Sequence, residues 1–276
     1  MSPESPVFDT DRVERELAGC PLGTRVLVYR ETASTNDLAL RLGAEGAQHG
    51  TVVLADAQTA GRGRMGRRWE SGPGLGLWFS VVLRPELPEA HWPRLTLCAA
   101  LAVVSGIETV APTVRAGIKW PNDIQCEARK LAGILLESRS GKGGFVVAGI
   151  GINVHHRPED FPPDLRAIAG SVRMLAPVAV SREELAVAVL RALAGLWGEA
   201  ADGFEGIVAE CERRSVLLGR EVEVTAGVER LVGIATGLDP LSGGLLLRGP
   251  EGGHRVVGFG EVTRVRGAGL GPGGVG

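Results

Sequence analysis

The chain has 276 residues, 44% of them hydrophobic and 22% charged, with a formal net charge of −2. That balance excludes wholesale disorder and is long enough to bury the core of one large domain or two ordinary ones without staples. It also argues against a protein whose main task is coating nucleic acid, which needs a large excess of Lys and Arg. No run of 18 uninterrupted apolar residues suggests a membrane span, and the acidic stretch Met1 to Arg15 is unlike a secretory signal, so a cytoplasmic location is expected. Cys20, Cys98, Cys126 and Cys211 form no CxxC and read as buried thiols of a reducing compartment. His155 and His156 stand alone without carboxylate or thiol at ligand spacing and read as solvent-facing loop residues, so no structural metal is expected.

In chain order, residues 10–19 predict a short helix stopped by Gly19, and Arg25 to Tyr29 a strand. The small polar cluster Ser34-Thr35-Asn36 follows and leads into a helical run, Asp37 to Leu42; Ser34 or Thr35 suits its N-cap. Thr51 to Ala57 reads as a strand, 58–74 as a Gly/Arg loop, Leu75 to Leu83 as a strand and Pro93 to Val110 as an apolar helix. Strands are predicted at 115–120, 130–138 and 145–153, the last two joined by a turn at Gly141 to Gly144. Ser181 and Glu184 form a capping-box pattern ahead of Leu185, Val189, Leu193 and Leu196. From about Arg220 the pattern changes to five short strands, at 220–225, 229–237, 244–248, 254–259 and 261–266. The fold class expected is α+β, with a mixed sheet and flanking helices over residues 1–214 and a small β-barrel over 215–266. The Gly-rich residues 267–276 predict a disordered tail.

Four segments carry chemistry. Gln58 to Trp69 packs four arginines and three glycines between Gly61 and Arg68. Gly61, Gly63 and Gly66 match the spacing of a dinucleotide fingerprint, but Arg67 to Gly74 cannot open the helix that fingerprint needs. A Walker loop fails too, because Arg67-Arg68 stands where Lys and a hydroxyl belong. What remains is a loop whose glycines let backbone N–H groups approach an anion while guanidinium forks neutralise it; a solvated basic loop is the plain alternative. Lys119-Trp120-Pro121-Asn122-Asp123 puts an ammonium, an amide and a carboxylate beside a rigid turn. Lys130 opens the apolar strand ending at Glu137, either as an anion ligand at the mouth of a sheet or as a snorkelling surface lysine. Gly149-Ile150-Gly151-Ile152-Asn153 lets a flat ring approach a strand, or serves tight packing.

Together STN, QTAGRGRMGRRW, KWPND, KLAGILLE and GIGIN resemble the biotin–protein ligase family, in its order and at compatible spacing across roughly residues 25–266. The lipoate ligases, from the same superfamily, lack this full set; a lipoate or octanoate transferase is the alternative, and an RNA- or DNA-binding module using the Arg loop is a rival of another class. The resemblance implies a biotin/lipoate ligase-like catalytic domain with a C-terminal SH3-like barrel. It implies activation of biotin by Mg-ATP to biotinyl-5′-adenylate, then transfer to one lysine of a biotin carboxyl carrier protein, with biotin, ATP and Mg2+ as the ligands.

Carried onto this sequence, Arg62 and Lys130 bring carboxylate and α-phosphate together, and Asp123 assists with magnesium or with the acceptor lysine. Biotin is expected at Ser34, Thr35, Asn36, Gln58, Gly61, Arg62, Gly63, Arg64, Lys130 and Gly133, with Trp78 and the Gly133-Ile134 strand lining its apolar part. ATP is expected at Arg62, Arg64, Arg67, Lys119, Asn122, Asp123, Lys130 and Asn153, the last against adenine. The Arg loop is expected to be mobile when empty and to close over the adenylate. Two departures from the family matter. About 24 residues precede the first strand, too few for the N-terminal helix-turn-helix of many bacterial members, so no operator DNA binding is expected. Ala169-Gly170-Ser171-Val172 stands where a Thr-Ser-Leu pattern is usual. Carrier recognition is expected at a strand edge and the barrel, and a homodimer is left open.

Overall fold

The computed structural model describes residues 8–177 and 179–266; the predicted tail lies outside them. In chain order the elements are α1 (Thr10–Glu16), β1 (Arg25–Thr32), α2 (Thr35–Ala44), β2 (Thr51–Gln58), β3 (Gly76–Leu83), α3 (Leu95–Val110), β4 (Gly117–Lys119), β5 (Asp123–Cys126), β6 (Arg129–Arg139), β7 (Phe145–Asn153), α4 (Val172–Leu175), α5 (Arg182–Asp202), α6 (Glu205–Arg213), β8 (Glu221–Ala226), β9 (Glu229–Leu238), β10 (Leu245–Arg248), β11 (His254–Val257) and β12 (Glu261–Arg266). Strands β1 to β7 form one mixed sheet ordered β1-β2-β3-β7-β6-β5-β4, in which only the β1–β2 pair is parallel. Strands β8 to β12 form a second, antiparallel sheet ordered β11-β10-β9-β8-β12, consistent with a small SH3-like unit.

One face of the large sheet is the main core. Helix α3 is apolar on every side because it is enclosed by the sheet, α5 and α6. The stretch Glu89–Val110 has the length and composition of a membrane span, contrary to the reading from apolar runs, but 61% of it is buried within the protein. Pro93 makes its first turn, Glu89–Arg94, a 3₁₀ helix. The same core runs on through Val222, Val224, Ala235 and Leu245 of the second sheet. The other face carries α2, packed through Leu38 and Ala39 on Val53, Val82 and Val147. That face holds the site.

Three elements, β5, α4 and α6, escape the sequence reading. Strand β5 is four residues long and immediately follows the KWPND turn, too short for a period-2 signal. Helix α6 buries only Ile207, Val208 and Cys211. The capping pattern at Ser181 is half made: Ser181 Oγ accepts the Glu184 N–H at 3.3 Å, but the Glu184 carboxylate pairs with Arg12 of α1 instead of reaching back. The expectation of buried thiols holds for Cys98 and Cys211, while Cys20 and Cys126 are half-buried.

The reading of the histidine pair is corrected. His156 is 3% exposed, stacked on Phe161 at 4.6 Å and set against the edge of Trp78. His155 bridges the Gly74 and Val180 carbonyls at 3.1 and 2.8 Å. The chain beyond β7 folds back over the sheet instead of running into solvent, so both rings become connectors between segments.

Candidate active site

Sheet register assembles the site. Asp123, Gly133, Gly151 and Trp78 form one row across β5, β6, β7 and β3. Two residues along, Leu135, Gly149 and Ser80 form a parallel row on the same face. Three glycines therefore make a trough in the α2 face. Side chains fill its floor to contact distance: a Cβ on Gly149 would lie 1.9 Å from Asn36 Oδ1, and one on Gly151 2.5 Å from Trp69 Nε1. The flat ring expected over these glycines is the protein's own Trp69. Its Nε1–H is buried without a hydrogen-bond partner among the described residues, and Lys130 Nζ lies 5.2 Å from its ring. Trp78 is buried beneath, edge-on to Trp69 at 6.3 Å, so Trp69 and not Trp78 lines the trough. Ile134 points to the opposite face and belongs to the core.

The KWPND segment is a tight hairpin, with a cis Trp120–Pro121 bond, that pairs Lys119 of β4 with Asp123 of β5. Asp123 Oδ1 meets Lys130 Nζ at 2.6 Å. Asn122 ties the turn to β6 through its Nδ2–H donating to Ile134 O at 2.8 Å, and its Oδ1 accepts from Arg64 Nη1 at 3.1 Å. Burial holds the Lys119 ammonium below its ordinary value, opposed by Asp123.

The arginine loop closes on itself. Trp69 N–H donates to Gly61 O and Gly63 N–H to Arg67 O, with Met65 and Gly66 at positive φ in the tip. The Gly63 N–H is thus engaged within the loop and not turned toward an anion. Gly61 has no room for a side chain, since a Cβ would sit 2.4 Å from Trp69 O. Three arginines pin the loop outward. Arg62 grips Glu137 bidentately at 3.1 and 2.6 Å and reaches Asp37 at 2.7 Å. Arg64 takes Asn122. Arg67 meets Glu261 of β12 at 2.5 Å, which brings the second sheet to the site. Glu137 holds the Arg62 guanidinium above its ordinary value, whereas burial lowers that of Arg64, which makes no ion pair among the described residues.

The small polar residues form one network. Ser34 caps α2, accepting the Asp37 N–H. Gln58 Oε1 accepts the Thr35 N–H at 2.8 Å and its Nε2–H donates to Ser71 Oγ at 2.8 Å. Ser80 Oγ lies 2.9 Å from Thr35 Oγ1 and 2.6 Å from Asn36 Oδ1, and Asn36 Nδ2–H donates to Glu137 at 2.8 Å. Asn36 is buried by these bonds, so its part is internal. Asn153 is buried as well, donating to Gly170 O at 3.0 Å. It holds the segment 165–171 against Lys130, whose backbone bonds Ile168 O and Gly170 N–H. That bond uses the Nδ2–H and leaves the Oδ1 acceptor of Asn153 for another partner.

Glu137, Asp37, Glu261 and Trp69 were given no role from the sequence. Glu137 was findable: it shares a strand face with Gly133 and Leu135 at i+4 and i+2. Among the described residues no three His, Cys, Asp or Glu side chains converge as a metal cage. Asp123 offers one carboxylate, which suits a magnesium ion that arrives on phosphates.

Residues 28–154 match the model of the biotin/lipoate A/B protein ligase family. The chain is 35% identical over 267 residues to a biotin–[acetyl-CoA-carboxylase] ligase of Mycobacterium tuberculosis, covering 95% of this chain and 97% of that one. It is 44% identical over 163 residues to a bifunctional ligase/repressor of Bacillus subtilis, covering 58% of this chain and only half, 50%, of that relative. A solved biotin protein ligase from Aquifex aeolicus, in complex with biotin and ATP, superposes with a TM-score of 0.77 at 30% identity, over 88% of this chain and 99% of that one.

Proposed function

The chain belongs to the biotin–protein ligase family, and we propose the following division of labour for its site. It is an ATP-dependent ligase that activates biotin and transfers it to protein. A biotin carboxylate oxygen bonds to the α-phosphorus of ATP while the bond from that phosphorus to the β-phosphate bridging oxygen breaks, releasing pyrophosphate. The acceptor lysine's nitrogen then bonds to the acyl carbon, AMP leaves, and the amine loses its proton. The acceptor is a lysine of a biotin carboxyl carrier domain.

The single observation carrying the site assignment is convergence. Lys119, Lys130 and the loop arginines Arg62, Arg64 and Arg67 come from three separate segments and meet along one edge of a glycine trough. Two anions must be brought together there, and fixed cations offset their repulsion by several kcal/mol, about 3 per well-aimed donor. Lys130 sits between Asp123 and the Trp69 ring, at the point where trough and cation cluster meet, and is assigned to the reacting carboxylate and α-phosphate. Arg64 and Lys119, half-buried and without ion-pair partners among the described residues, have the strongest electrostatic reason to accept phosphate. Thr35, Gln58 and Ser71 supply the polar end of the trough for the ureido ring; leaving such groups unpaired costs about 1–3 kcal/mol each, which discriminates against acids lacking that ring. Asp123 supports magnesium on the phosphates or accepts the proton of the acceptor lysine, whose unperturbed pKa is about 10.4.

The test is exchange of labelled pyrophosphate into ATP with biotin and magnesium present. Biotin-dependent exchange is expected, and substituting lipoate or octanoate should abolish it. Exchange supported equally by those acids would favour the transferase alternative, and none with any acid would sink the reading.

A further inference from the structure

Arg62 is the most conspicuous guanidinium of the loop, yet it faces two carboxylates, so the three groups together carry a net negative charge. An arriving anion would be repelled by that cluster unless one carboxylate gives way. The two are not equivalent. Glu137 takes Nη1 and Nη2 together, at 3.1 and 2.6 Å, and is itself fixed from behind by Asn36 Nδ2–H at 2.8 Å. Its side chain is 27% exposed, and it stands on a central strand. Asp37 touches Nη2 alone, at 2.7 Å, and is 54% exposed on the first turn of α2. A guanidinium presents two forks, an end-on pair from Nη1 and Nη2 and a side-on pair from Nε and Nη2. Glu137 occupies the first. Asp37 meets Nη2 alone, and the second fork makes no hydrogen bond from Nε among the described residues.

We propose that Glu137 is a positioning residue that grips Arg62 by its end-on fork throughout the reaction, and that Asp37 is a placeholder which an oxyanion of the substrate displaces from the side-on fork. The oxyanion is either the biotin carboxylate or an ATP phosphate oxygen; both present the same chemistry to that fork. The proposal rests on the ligase reading. The backing is continuous: Ser80 and Asn36 hold Glu137, and Gly149 leaves the space that Asn36 fills.

The test exploits opposite signs on one arginine. Asp37→Asn removes a competing charge and should lower KM about two- to fivefold, the worth of one exposed ion pair, with kcat retained. A fall confined to the KM for biotin assigns the fork to the carboxylate; one confined to ATP assigns it to the phosphate. Glu137→Gln keeps the shape but turns a donor toward Arg62; it should lower kcat of adenylation about ten- to a hundredfold through misplacement of the guanidinium, with a smaller change in KM. If bulk charge alone mattered, both substitutions would lower KM and neither would lower kcat, and the proposal would be overturned. It would also fall if neither substitution moved either constant. Should Glu137→Gln fail to fold, the Asp37→Asn result decides alone, because its side chain is on the surface. Wild-type exchange is measured first: its absence sinks the ligase reading and this proposal with it, whereas normal exchange with unmoved variants sinks only the proposal.

Discussion

Acidification from pH 7.5 to pH 5 should destabilise this fold through one buried ring. His156 lies between Trp78 and Phe161, and its Nδ1 has no hydrogen-bond partner among the described residues. Burial pushes its pKa down from 6.5 to about 4; Asp160 opposes the shift and His155 adds to it. Between those two values the unfolded chain holds a proton that the folded chain does not, so lowering the pH favours unfolding. The stabilisation is present in full above about pH 6.5 and is lost as the pH falls through about 4. At 1.36 kcal/mol per pH unit the whole gap is worth ~3 kcal/mol, of which ~2 kcal/mol is gone by pH 5, before most carboxylates titrate. The assay is urea denaturation at pH 7.5 and pH 5 for the wild type and for His156→Phe. Replacing the imidazole shifts absolute stability by an unrelated packing term, but that term cancels in the pH difference. The wild type should lose about 2 kcal/mol more than the variant over this interval. Equal losses in the two proteins would refute the placement of a neutral, enclosed imidazole at this position.

Lys130→Ala should lower pyrophosphate exchange at least about a hundredfold while leaving the melting temperature within a few degrees, since Lys130 is half-exposed and its loss leaves Asp123 solvated; exchange within tenfold of wild type would remove it from the reacting centre. Gly151→Ala puts a methyl at 2.5 Å from Trp69 Nε1 and should lift the indole from the trough, which shifts tryptophan emission and weakens biotin binding by calorimetry; unchanged emission and affinity would mean the ring is not seated there. Asn153→Ala leaves Gly170 O without its donor, a cost of about 1–3 kcal/mol, and should raise the KM for ATP more than that for biotin. Equal rises would show that the segment 165–171 does not serve the nucleotide side.

The large strands and long helices were legible because their patterns are self-sufficient. Leu75 to Leu83 and Phe145 to Asn153 are apolar enough to be central strands, and the observed β3 and β7 pair along their whole length. The change to short alternating strands after Arg220 marks the second sheet. What was not legible depends on partners distant in sequence. Strand β5 is a strand only because β4 and β6 flank it. His156 and Trp69 are enclosed by segments that return from elsewhere, so a loop histidine becomes core and a loop tryptophan becomes the lining of the site. The same cause moves Asn36 and Asn153 inside, where their Nδ2–H groups meet carbonyls and a carboxylate.

The motifs name cations that the fold brings together, but not their state. Reading GRGRMGRRW counts positive charge, while the carboxylates that neutralise it come from α2, β6 and β12. Once those are placed, the arginines separate. Arg62 and Arg67 are balanced by Asp37, Glu137 and Glu261, whereas Arg64 and Lys119 are half-buried without ion-pair partners among the described residues. Partial burial disfavours their charged forms, and the nearby Asp123 and Glu261 oppose this without a direct ion pair, so an incoming phosphate relieves part of that cost. Arg67 holds the loop in shape, Arg62 has to exchange Asp37 for an oxyanion, and Arg64 and Lys119 supply the attraction that needs no exchange. Ligand binding should therefore stabilise the fold beyond what contact area alone predicts, with ATP raising the melting temperature of Arg67→Gln by as much as it raises that of wild type, but raising that of Arg64→Gln by less. An equal response from Arg64→Gln and wild type would mean the buried cation is balanced in some other way.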